Sequence, residues 1–238
     1  MTDPSGSRTL KQIIALSDVR FSWDEQTDVL DIETLCIHPG ERVFIAGPSG
    51  SGKTTLLSLI AGIMPPRTGT VSVSGREISR LGGAARDRFR ADHIGFIFQM
   101  FNLVPYLTVV ENVALPCRFS ADRRRRAVKK SESVEAEALR LLKKLGLDEK
   151  TAEGHTATQL SMGQQQRVAA ARALIGSPDI IIADEPTSSL DADHRRTFIN
   201  LLFRECEAKK STLVFVSHDI SLETLFDRTI QLNDINRV

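Results

Sequence analysis

Cysteine and long apolar runs are both scarce in this chain of 238 residues. The three cysteines, Cys36, Cys117 and Cys206, lie far apart and outside any Cys-x-x-Cys pattern, so neither a disulfide framework nor a cysteine-based zinc site is expected. This usage fits a reducing compartment, where free cysteines pack as small hydrophobic side chains. No apolar run approaches the ~20 residues of a membrane-spanning helix, and residues 1–9 lack the apolar core of a signal peptide. We therefore expect a cytoplasmic protein with a loose tail there and one domain over residues 10–238.

Net charge is also small, because 31 basic side chains against 30 acidic ones leave a formal charge of +1. No global field then draws the chain to nucleic acid, and we expect no nucleic-acid partner. The strongest local feature is a basic run made of Arg123, Arg124, Arg125, Arg126, Lys129 and Lys130. We interpret this run as a solvated helix face; the alternative is contact with lipid headgroups or with an acidic loop of a partner.

Short apolar segments of β-forming residues alternate with helical patterns, which is typical of an α/β fold. Four of these segments are apolar at nearly every position: Val43–Ala46, Ile94–Phe98, Ile180–Ala183 and Leu213–Val216. Strands of this kind are buried on both faces, as in a parallel sheet covered by helices. Elsewhere Val71 and Val73 alternate with serines, which predicts an antiparallel strand with one wet face. We expect further antiparallel strands within the first ~45 residues.

The chain between the second and third of these segments contains no convincing strand. Apolar side chains recur there at helical spacing, at Val134, Ala138, Leu141, Leu142 and Leu145. Gly146 followed by Leu147 is typical of a helix C-terminus with its hydrophobic contact. We therefore expect a helical lobe, inserted in the sheet over about residues 100–175.

A glycine-rich loop follows the first apolar strand and has the sequence Gly47-Pro48-Ser49-Gly50-Ser51-Gly52-Lys53-Thr54. It matches the pattern G-x-x-x-x-G-K-[ST] and precedes a predicted helix that begins at Thr55. The glycines let the backbone wrap so that N–H groups converge on phosphate oxygens, and the helix N-terminus adds positive charge. Lys53 should reach the β- and γ-phosphates, and the Thr54 hydroxyl should ligate magnesium. By itself the loop predicts that the chain binds a nucleoside triphosphate and Mg²⁺; ATP is the nucleotide that we expect.

Two carboxylates end a second buried strand, because Asp184 and Glu185 follow Ile180–Ala183 directly. Ligands bind at the carboxyl ends of strands in open α/β sheets. We expect Asp184 to hold the magnesium shell and Glu185 to polarise the attacking water.

A capping box opens another helix, since Ser161 and Gln164 form the pattern S-x-x-Q. The structural interpretation is a helix cap alone. The alternative is a second anion site, in which the Ser161 hydroxyl, the Gly163 N–H and the helix dipole face a phosphate. The first loop already encloses this chain's own nucleotide, so a second phosphate site would serve a nucleotide held by another copy.

Together these residues resemble the ATP-binding subunit of an ABC transporter over nearly the whole chain. Gly47–Thr54 is similar to the Walker A motif, Ile180–Glu185 to Walker B, Ser161–Gln164 to the signature, and Ser189-Leu190-Asp191 to the D-loop. Gln99 and His218 fall at the Q-loop glutamine and the switch histidine. The resemblance implies a phosphate-loop NTPase fold with a RecA-like core, an antiparallel β subdomain and an inserted helical lobe.

The resemblance also implies roles for further residues. Trp23 occupies the place of the aromatic that stacks on adenine; its alternative is a core tryptophan. Gln99 would contact magnesium and the attacking water, and His218 would bind the γ-phosphate beside Glu185. In a head-to-tail homodimer, the nucleotide would also be contacted in trans by Ser161, Met162, Gly163, Gln164 and Asp191. Catalysis would rest on Glu185, His218, Gln99 and Lys53, and nucleotide contacts would include Thr55 as well.

Within the family, the chain is similar to the subfamily of MacB-, LolD- and FtsE-type systems. Phe98–Pro105 and Leu107–Val113 carry this likeness. It implies that ATP-driven dimer closure powers an integral membrane permease of the MacB, LolC or FtsX type, docked near Phe101 to Leu107, with membrane contact through that permease. The alternative is an FtsE-like ATPase that regulates an extracytoplasmic partner. Met162 replaces the first signature glycine, and we expect it to be tolerated if its backbone angle is ordinary.

Overall fold

The computed structural model describes residues 12–24, 26–188 and 190–238, so the predicted tail lies outside the described residues. Within them the strands are β1 (Ile14–Ser22), β2 (Asp28–Ile37), β3 (Arg42–Ala46), β4 (Thr68–Val73), β5 (Arg76–Glu77), β6 (Ile94–Ile97), β7 (Ile180–Asp184), β8 (Thr212–Val216) and β9 (Arg228–Gln231). The helices are α1 (Lys53–Ile60), α2 (Gly83–His93), α3 (Val109–Ala114), α4 (Pro116–Phe119), α5 (Ala121–Val128), α6 (Val134–Lys144), α7 (Glu149–Gly154), α8 (Met162–Leu174), α9 (Ala192–Lys209) and α10 (Leu232–Ile235).

A parallel sheet of five strands, in the order β6-β7-β8-β3-β9, forms the centre. All four predicted apolar strands belong to it, which confirms their assignment. Successive side chains of these strands enter two different apolar clusters, since Phe44 packs with the inserted helices and α9 whereas Val43 and Ile45 pack with α1 and the other sheet. The sheet is therefore covered on both faces, as continuous apolar strands require. Sequence reasoning missed β9, an edge strand with a single buried residue, Ile230.

The other sheet is antiparallel, with the order β2-β1-β4-β5. Val71 and Val73 are fully buried, whereas Ser72 between them is half-buried. The predicted strand with one wet face is confirmed, as are antiparallel strands near the amino end. The apolar face of this sheet packs against the apolar residues of α1 in one cluster.

Helices α3 to α8 fill the chain between β6 and β7. In α6 the predicted apolar spacing is confirmed, because Ala138, Leu141 and Leu142 are fully buried. Gly146 follows with a φ of 78°, and the Leu147 N–H donates to the carbonyl of Leu142 at 2.9 Å. This is the left-handed helix end predicted from the glycine.

The four arginines of the basic run lie on α5 and its two lysines follow directly, and the interpretation of the run as a solvated helix face is wrong for Arg123. Arg124, Arg125, Lys129 and Lys130 are exposed and Arg126 is half-buried, but Arg123 is 2% exposed. Its guanidinium donates to the carbonyl oxygens of Ile94, Arg172, Ala173 and Ile175. The reason is that the last carbonyls of α8 lack donors within the helix, and α5 packs against that end.

No helix in the described ranges is both long and apolar enough to cross a membrane.

The parallel sheet also explains where functional side chains gather. The phosphate loop Gly47–Thr54 follows β3, Gln99 follows β6, Asp184 ends β7, and His218 follows β8. Because parallel strands point the same way, these four carboxyl ends meet at one edge of the sheet.

Candidate functional site

The phosphate loop connects β3 to α1 through backbone conformations that favour glycine. Gly50 and Gly52 have φ values of 81° and 96°, in the left-handed region. A Cβ on Gly52 would also lie 2.9 Å from Leu30 Cδ2 and 3.2 Å from the carbonyl oxygen of Val29. Gly52 therefore lets the loop turn closely against β2 before α1 begins.

Lys53 is buried in the mouth of this loop. Its Nζ donates to the carbonyl oxygens of Gly47 and Pro48, both at 2.7 Å. Nearby, the Ser51 hydroxyl is buried and has no hydrogen-bond partner in the described structure. The loop thus gathers an ammonium group and an unsatisfied hydroxyl around glycine-rich backbone, and this donor set fits phosphate oxygens.

A hydroxyl and a carboxylate meet beside the loop. The Thr54 Oγ1 donates to Asp184 Oδ2 at 3.1 Å, joining the start of α1 to the end of β7. Burial raises the pKa of Asp184, opposed by the Thr54 hydrogen bond, while neighbouring Glu185 raises it further and Lys53 lowers it. Hydroxyl and carboxylate oxygens are ligands that Mg²⁺ accepts, so these two residues fit a magnesium ion bound with nucleotide phosphates.

Glu185 and His218 form the next pair. His218 Nδ1 and Glu185 Oε2 lie 2.8 Å apart, with His218 68% exposed and Glu185 13% exposed. Glu185 has a φ of 47°, a left-handed conformation that costs ~1–2 kcal/mol for a residue other than glycine. Its N–H donates to the Val216 carbonyl at 3.0 Å, which anchors this conformation to β8. The strained backbone directs one carboxylate towards the histidine.

Trp23 and Gln99 complete a pocket of about 530 Å³. Its lining is Trp23, Val29, Ser49, Gly50, Gly52, Lys53, Thr54, Thr55, Gln99, Asp184, Glu185 and His218. Trp23 is 63% exposed and meets Phe21 edge-on at 5.2 Å, so it is not a core tryptophan. Sequence reasoning missed Val29, because only the register of β2 against the loop places it there.

The signature residues Ser161–Gln164 stand apart from this pocket. Ser161 caps α8: its N–H donates to Gln164 Oε1 at 2.9 Å, and its hydroxyl accepts from the Gln164 N–H at 3.4 Å. Met162 opens α8 with an ordinary helical backbone and is 57% exposed. A Cβ on Gly163 would meet only Leu190 Cδ2, at 3.9 Å. None of the four residues lines the pocket described above.

The D-loop lies between β7 and α9. Asp191 is the N-cap of α9 and accepts from the His194 N–H at 2.9 Å. It too is absent from the pocket lining. Ser189, which was assigned to the same motif, lies outside the described residues.

The segment after Gln99 is bound to α8 by hydrogen bonds from Arg172. Phe101 and Asn102 have φ values of 59° and 48°. Their carbonyl oxygens accept hydrogen bonds from Arg172 at 2.5 and 2.7 Å. A groove of about 570 Å³ lies alongside, and Phe98, Asn102, Phe119 and Arg172 are among its lining residues. Arg172 was missed as well, since a basic residue in the last turn of a helix is common.

Comparison with known proteins gives the same family on several grounds. The family model described as "ABC transporter" matches residues 30–188. The macrolide export ATP-binding/permease protein MacB of Shigella flexneri is 37% identical over 226 residues, which cover 93% of this chain and 33% of the relative. That of Burkholderia pseudomallei is 41% identical over 210 residues, or 87% and 30% of the two chains. The chain thus spans about a third of the length of these relatives.

Solved structures agree with the sequence relatives. A dimeric structure of a post-hydrolysis state of the ATP-binding cassette MJ0796 bound to ADP and Pi is 38% identical, covers 92% of this chain and 93% of its own, and superimposes with a TM-score of 0.77. A second dimeric structure of MJ0796, described as a bacterial ABC transporter cassette, is 39% identical with a TM-score of 0.76. The folds match over almost the full length of both chains, and this chain belongs to the ABC transporter family.

Proposed function

We propose that this chain is the ATP-binding and ATP-hydrolysing subunit of an ABC transporter, driving a membrane permease of the MacB type. The observation that carries the proposal is the pocket in which one carboxylate–histidine pair, Glu185 and His218, faces the loop that holds Lys53. Groups that can donate hydrogen bonds to phosphate, a candidate base and an exposed aromatic side chain thereby line one cavity. MJ0796, with 38% identity, was solved with ADP and Pi bound.

ATP would lie along the pocket from Trp23 to the phosphate loop. The Trp23 indole offers a flat face for adenine. Lys53 would exchange its carbonyl partners for phosphate oxygens, and the N–H groups of the loop would converge on the same anion. A magnesium ion held by Thr54 and Asp184, with Gln99 closing on it, would neutralise charge on the phosphates.

Hydrolysis would begin at Glu185. An ionised Glu185 accepts a proton from a water molecule as the water oxygen attacks the γ-phosphorus, and the bond from that phosphorus to the bridging oxygen of ADP breaks. His218 Nδ1–H donates to the Glu185 carboxylate and so holds it in place. Gln99 would orient the same water from the other side of the pocket.

A second copy would complete the site. Ser161, Gly163 and Gln164 lie at the amino end of the 13-residue helix α8, where the helix dipole favours an anion. They do not line this chain's own pocket, so in a head-to-tail homodimer they would contact the partner's nucleotide together with Met162 and Asp191. The dimeric form of MJ0796 supports this arrangement. ATP binding would close the dimer, and hydrolysis with phosphate release would open it.

The permease would dock at the groove beside the Q-loop. Phe119, which lines this groove, is 73% exposed, and Met100 and Tyr106, in the segment that follows Gln99, are 80% and 81% exposed. Exposed apolar side chains of this kind are typical of a protein contact surface. Phe101 itself is 4% exposed and cannot be a contact. The MacB relatives are described as combined ATP-binding and permease proteins, and this chain covers only about a third of their length. The chain would therefore work on the cytoplasmic face of the membrane through such a permease.

Turnover by a Glu185→Gln variant tests the catalytic proposal. Because the amide cannot accept the proton, ATP should bind with near-native affinity while steady-state phosphate release falls by at least ~100-fold, the range of general-base catalysis. Glu153→Gln, on an exposed position of α7, is the matched control and should retain activity. Unchanged turnover in the Glu185 variant would rule out that base.

Co-purification tests the partner. The tagged chain, isolated from detergent-solubilised membranes, should bring down one integral membrane permease identified by mass spectrometry. Phe119→Asp should abolish that recovery and leave ATP hydrolysis by the isolated chain intact. Equal recovery with the Phe119 variant would place the permease elsewhere.

A further inference from the structure

Arg172 is a buried cation that the proposed chemistry does not use. It lies in the last turn of α8, is 9% exposed, and forms no ion pair with a carboxylate in the described parts of the chain. Burial lowers its pKa. Its two terminal nitrogens instead donate to two successive backbone carbonyls, those of Phe101 at 2.5 Å and Asn102 at 2.7 Å. Burying a guanidinium that is paired only with neutral carbonyls costs free energy, so its role is to be found in the two hydrogen bonds that it makes.

The loop that Arg172 holds begins at Gln99. Phe101 and Asn102 are successive non-glycine residues in left-handed backbone conformation, which a free loop would leave. The Phe101 side chain is buried in the core, and its N–H donates to Phe98 at 2.9 Å. Gln99 itself is exposed in the nucleotide pocket. The pocket residue is therefore free to move while the segment two residues later is fixed to α8.

The opposite end of α8 carries the signature. The helix is thirteen residues long, which corresponds to about 20 Å. Its carboxyl end is secured by Arg123, which donates to the Ala173 carbonyl at 2.7 Å, and by Lys209, which donates to the Leu174 carbonyl at 3.0 Å. Because α8 is one unbroken helix from Met162 to Leu174, a displacement of the Q-loop that reorients it at Arg172 would also reorient its amino end, where Ser161 and Gly163 lie.

We propose that Arg172 is a positioning residue that couples the Q-loop to the signature helix, so that the response of Gln99 to ATP sets the orientation of Ser161 and Gly163 towards the partner's nucleotide. The inference rests on the proposed function. Arg172 also lines the groove assigned to the permease, so a segment docked there would act on the same junction. Arg172 does not touch the nucleotide pocket, and its effect is on turnover rather than on ATP binding.

A double-mutant cycle on turnover tests the coupling. Arg172→Lys keeps the charge but loses the two-pronged geometry. We expect kcat to fall about tenfold, the effect of roughly one charge-assisted hydrogen bond, with the KM for ATP changed less than about twofold. In the Gln99→Ala background the same substitution should change kcat by less than about twofold. If the two substitutions reduced kcat independently, so that their fold-changes multiplied in the double variant, or if only KM changed, the proposal would be overturned.

Arg126→Lys is the matched control. Arg126 donates to the Gly176 carbonyl at 2.6 Å and to that of Asp92 at 2.6 Å, at the same end of α8, but it does not reach the Q-loop. Its variant should keep the native kcat. A tenfold loss there as well would assign Arg172 to general packing and overturn its special role.

Hydrogen exchange in the nucleotide-free protein gives an independent readout. Peptides covering residues 98–104 should exchange faster in Arg172→Lys than in Arg126→Lys or the native chain. Arg172→Gln removes the buried charge and serves as a second variant in case Arg172→Lys does not fold. It should show the same faster exchange. Unfolding of both Arg172 variants, or unchanged exchange in a folded one, would contradict the coupling. If the native chain failed to hydrolyse ATP, the proposed function would fail, whereas the exchange comparison would still test the restraint.

Discussion

Replacement of Arg123 by methionine tests why one member of the basic run is buried. The guanidinium makes five hydrogen bonds, of 2.6 to 3.3 Å, to four backbone carbonyls. Three of these carbonyls lie at the end of α8 and just beyond it, and the fourth, of Ile94, begins β6. Methionine can fill the space but donates no hydrogen bond, so Arg123→Met leaves these acceptors buried without their donor.

The magnitude follows from two opposing contributions. At ~1.5 kcal/mol for each carbonyl that loses a charged donor, the substitution costs about 6 kcal/mol. Removing a buried charge offsets part of this cost: burial lowers the pKa of Arg123 from its ordinary value to about 10, equivalent to about 3 kcal/mol. We therefore expect the free energy of unfolding to fall by about 3 kcal/mol.

Urea denaturation followed by circular dichroism measures this loss. Arg124→Met, one residue along the same helix and exposed, is the matched control and should lie within ~0.5 kcal/mol of the native chain. The shift in midpoint multiplied by the slope of the transition gives the difference for each variant. If the two variants differed by less than ~1 kcal/mol, the stabilising role of the buried guanidinium would be refuted.

Three further outcomes are expected. Trp23→Ala should weaken ATP binding about tenfold in calorimetry while Trp23→Tyr stays near native, since either ring can stack; equal affinities of all three chains would exclude stacking. Thr54→Val should raise the Mg²⁺ concentration needed for half-maximal ATP hydrolysis, and an unchanged magnesium titration would remove Thr54 as a ligand. Burial lowers the pKa of Lys209 from 10.5 to about 8. Between these two pH values the unfolded chain binds more protons than the folded chain, so the free energy of unfolding rises with pH across this window. Lys209→Met should lack this rise, of about 3 kcal/mol, in urea denaturation at pH values spanning the window; an identical pH dependence would contradict the assignment.

Strands of the parallel sheet were predictable because burial on both faces leaves continuous apolar sequence. Val43–Ala46 and Ile180–Ala183 show this pattern directly, and the structure extends them by one residue each. β9 was missed because its sequence, Arg-Thr-Ile-Gln, has only one apolar residue, whereas β6, at the opposite edge, is largely buried and apolar.

The pocket could be anticipated from the phosphate loop and the acidic strand end because local backbone chemistry positions both. Gly52 and the capping box at Ser161 determine the backbone conformation only of residues a few positions away in the sequence, so their effect can be read from the local sequence. By contrast, four successive arginines point in all directions around a helix, 100° apart, and only the packing of α5 on α8 selects Arg123 for burial. Arg172 likewise acquires its role from Phe101 and Asn102, some seventy residues earlier in the chain.

In the proposed mechanism one chain cannot complete its own nucleotide site, and the mass of the Glu185→Gln variant with and without ATP shows whether a second chain is needed. Light scattering after gel filtration should give the mass of one chain without nucleotide and twice that mass with ATP and Mg²⁺. Gly163→Asp, added to the same variant, has room to fold because the nearest side-chain atom to its Cβ is 3.9 Å away. It should still bind ATP and yet remain at the mass of one chain, since its carboxylate would repel the partner's phosphates. A Glu185→Gln protein that binds ATP and stays monomeric, or a Gly163→Asp double variant that dimerises equally well, would contradict the shared site.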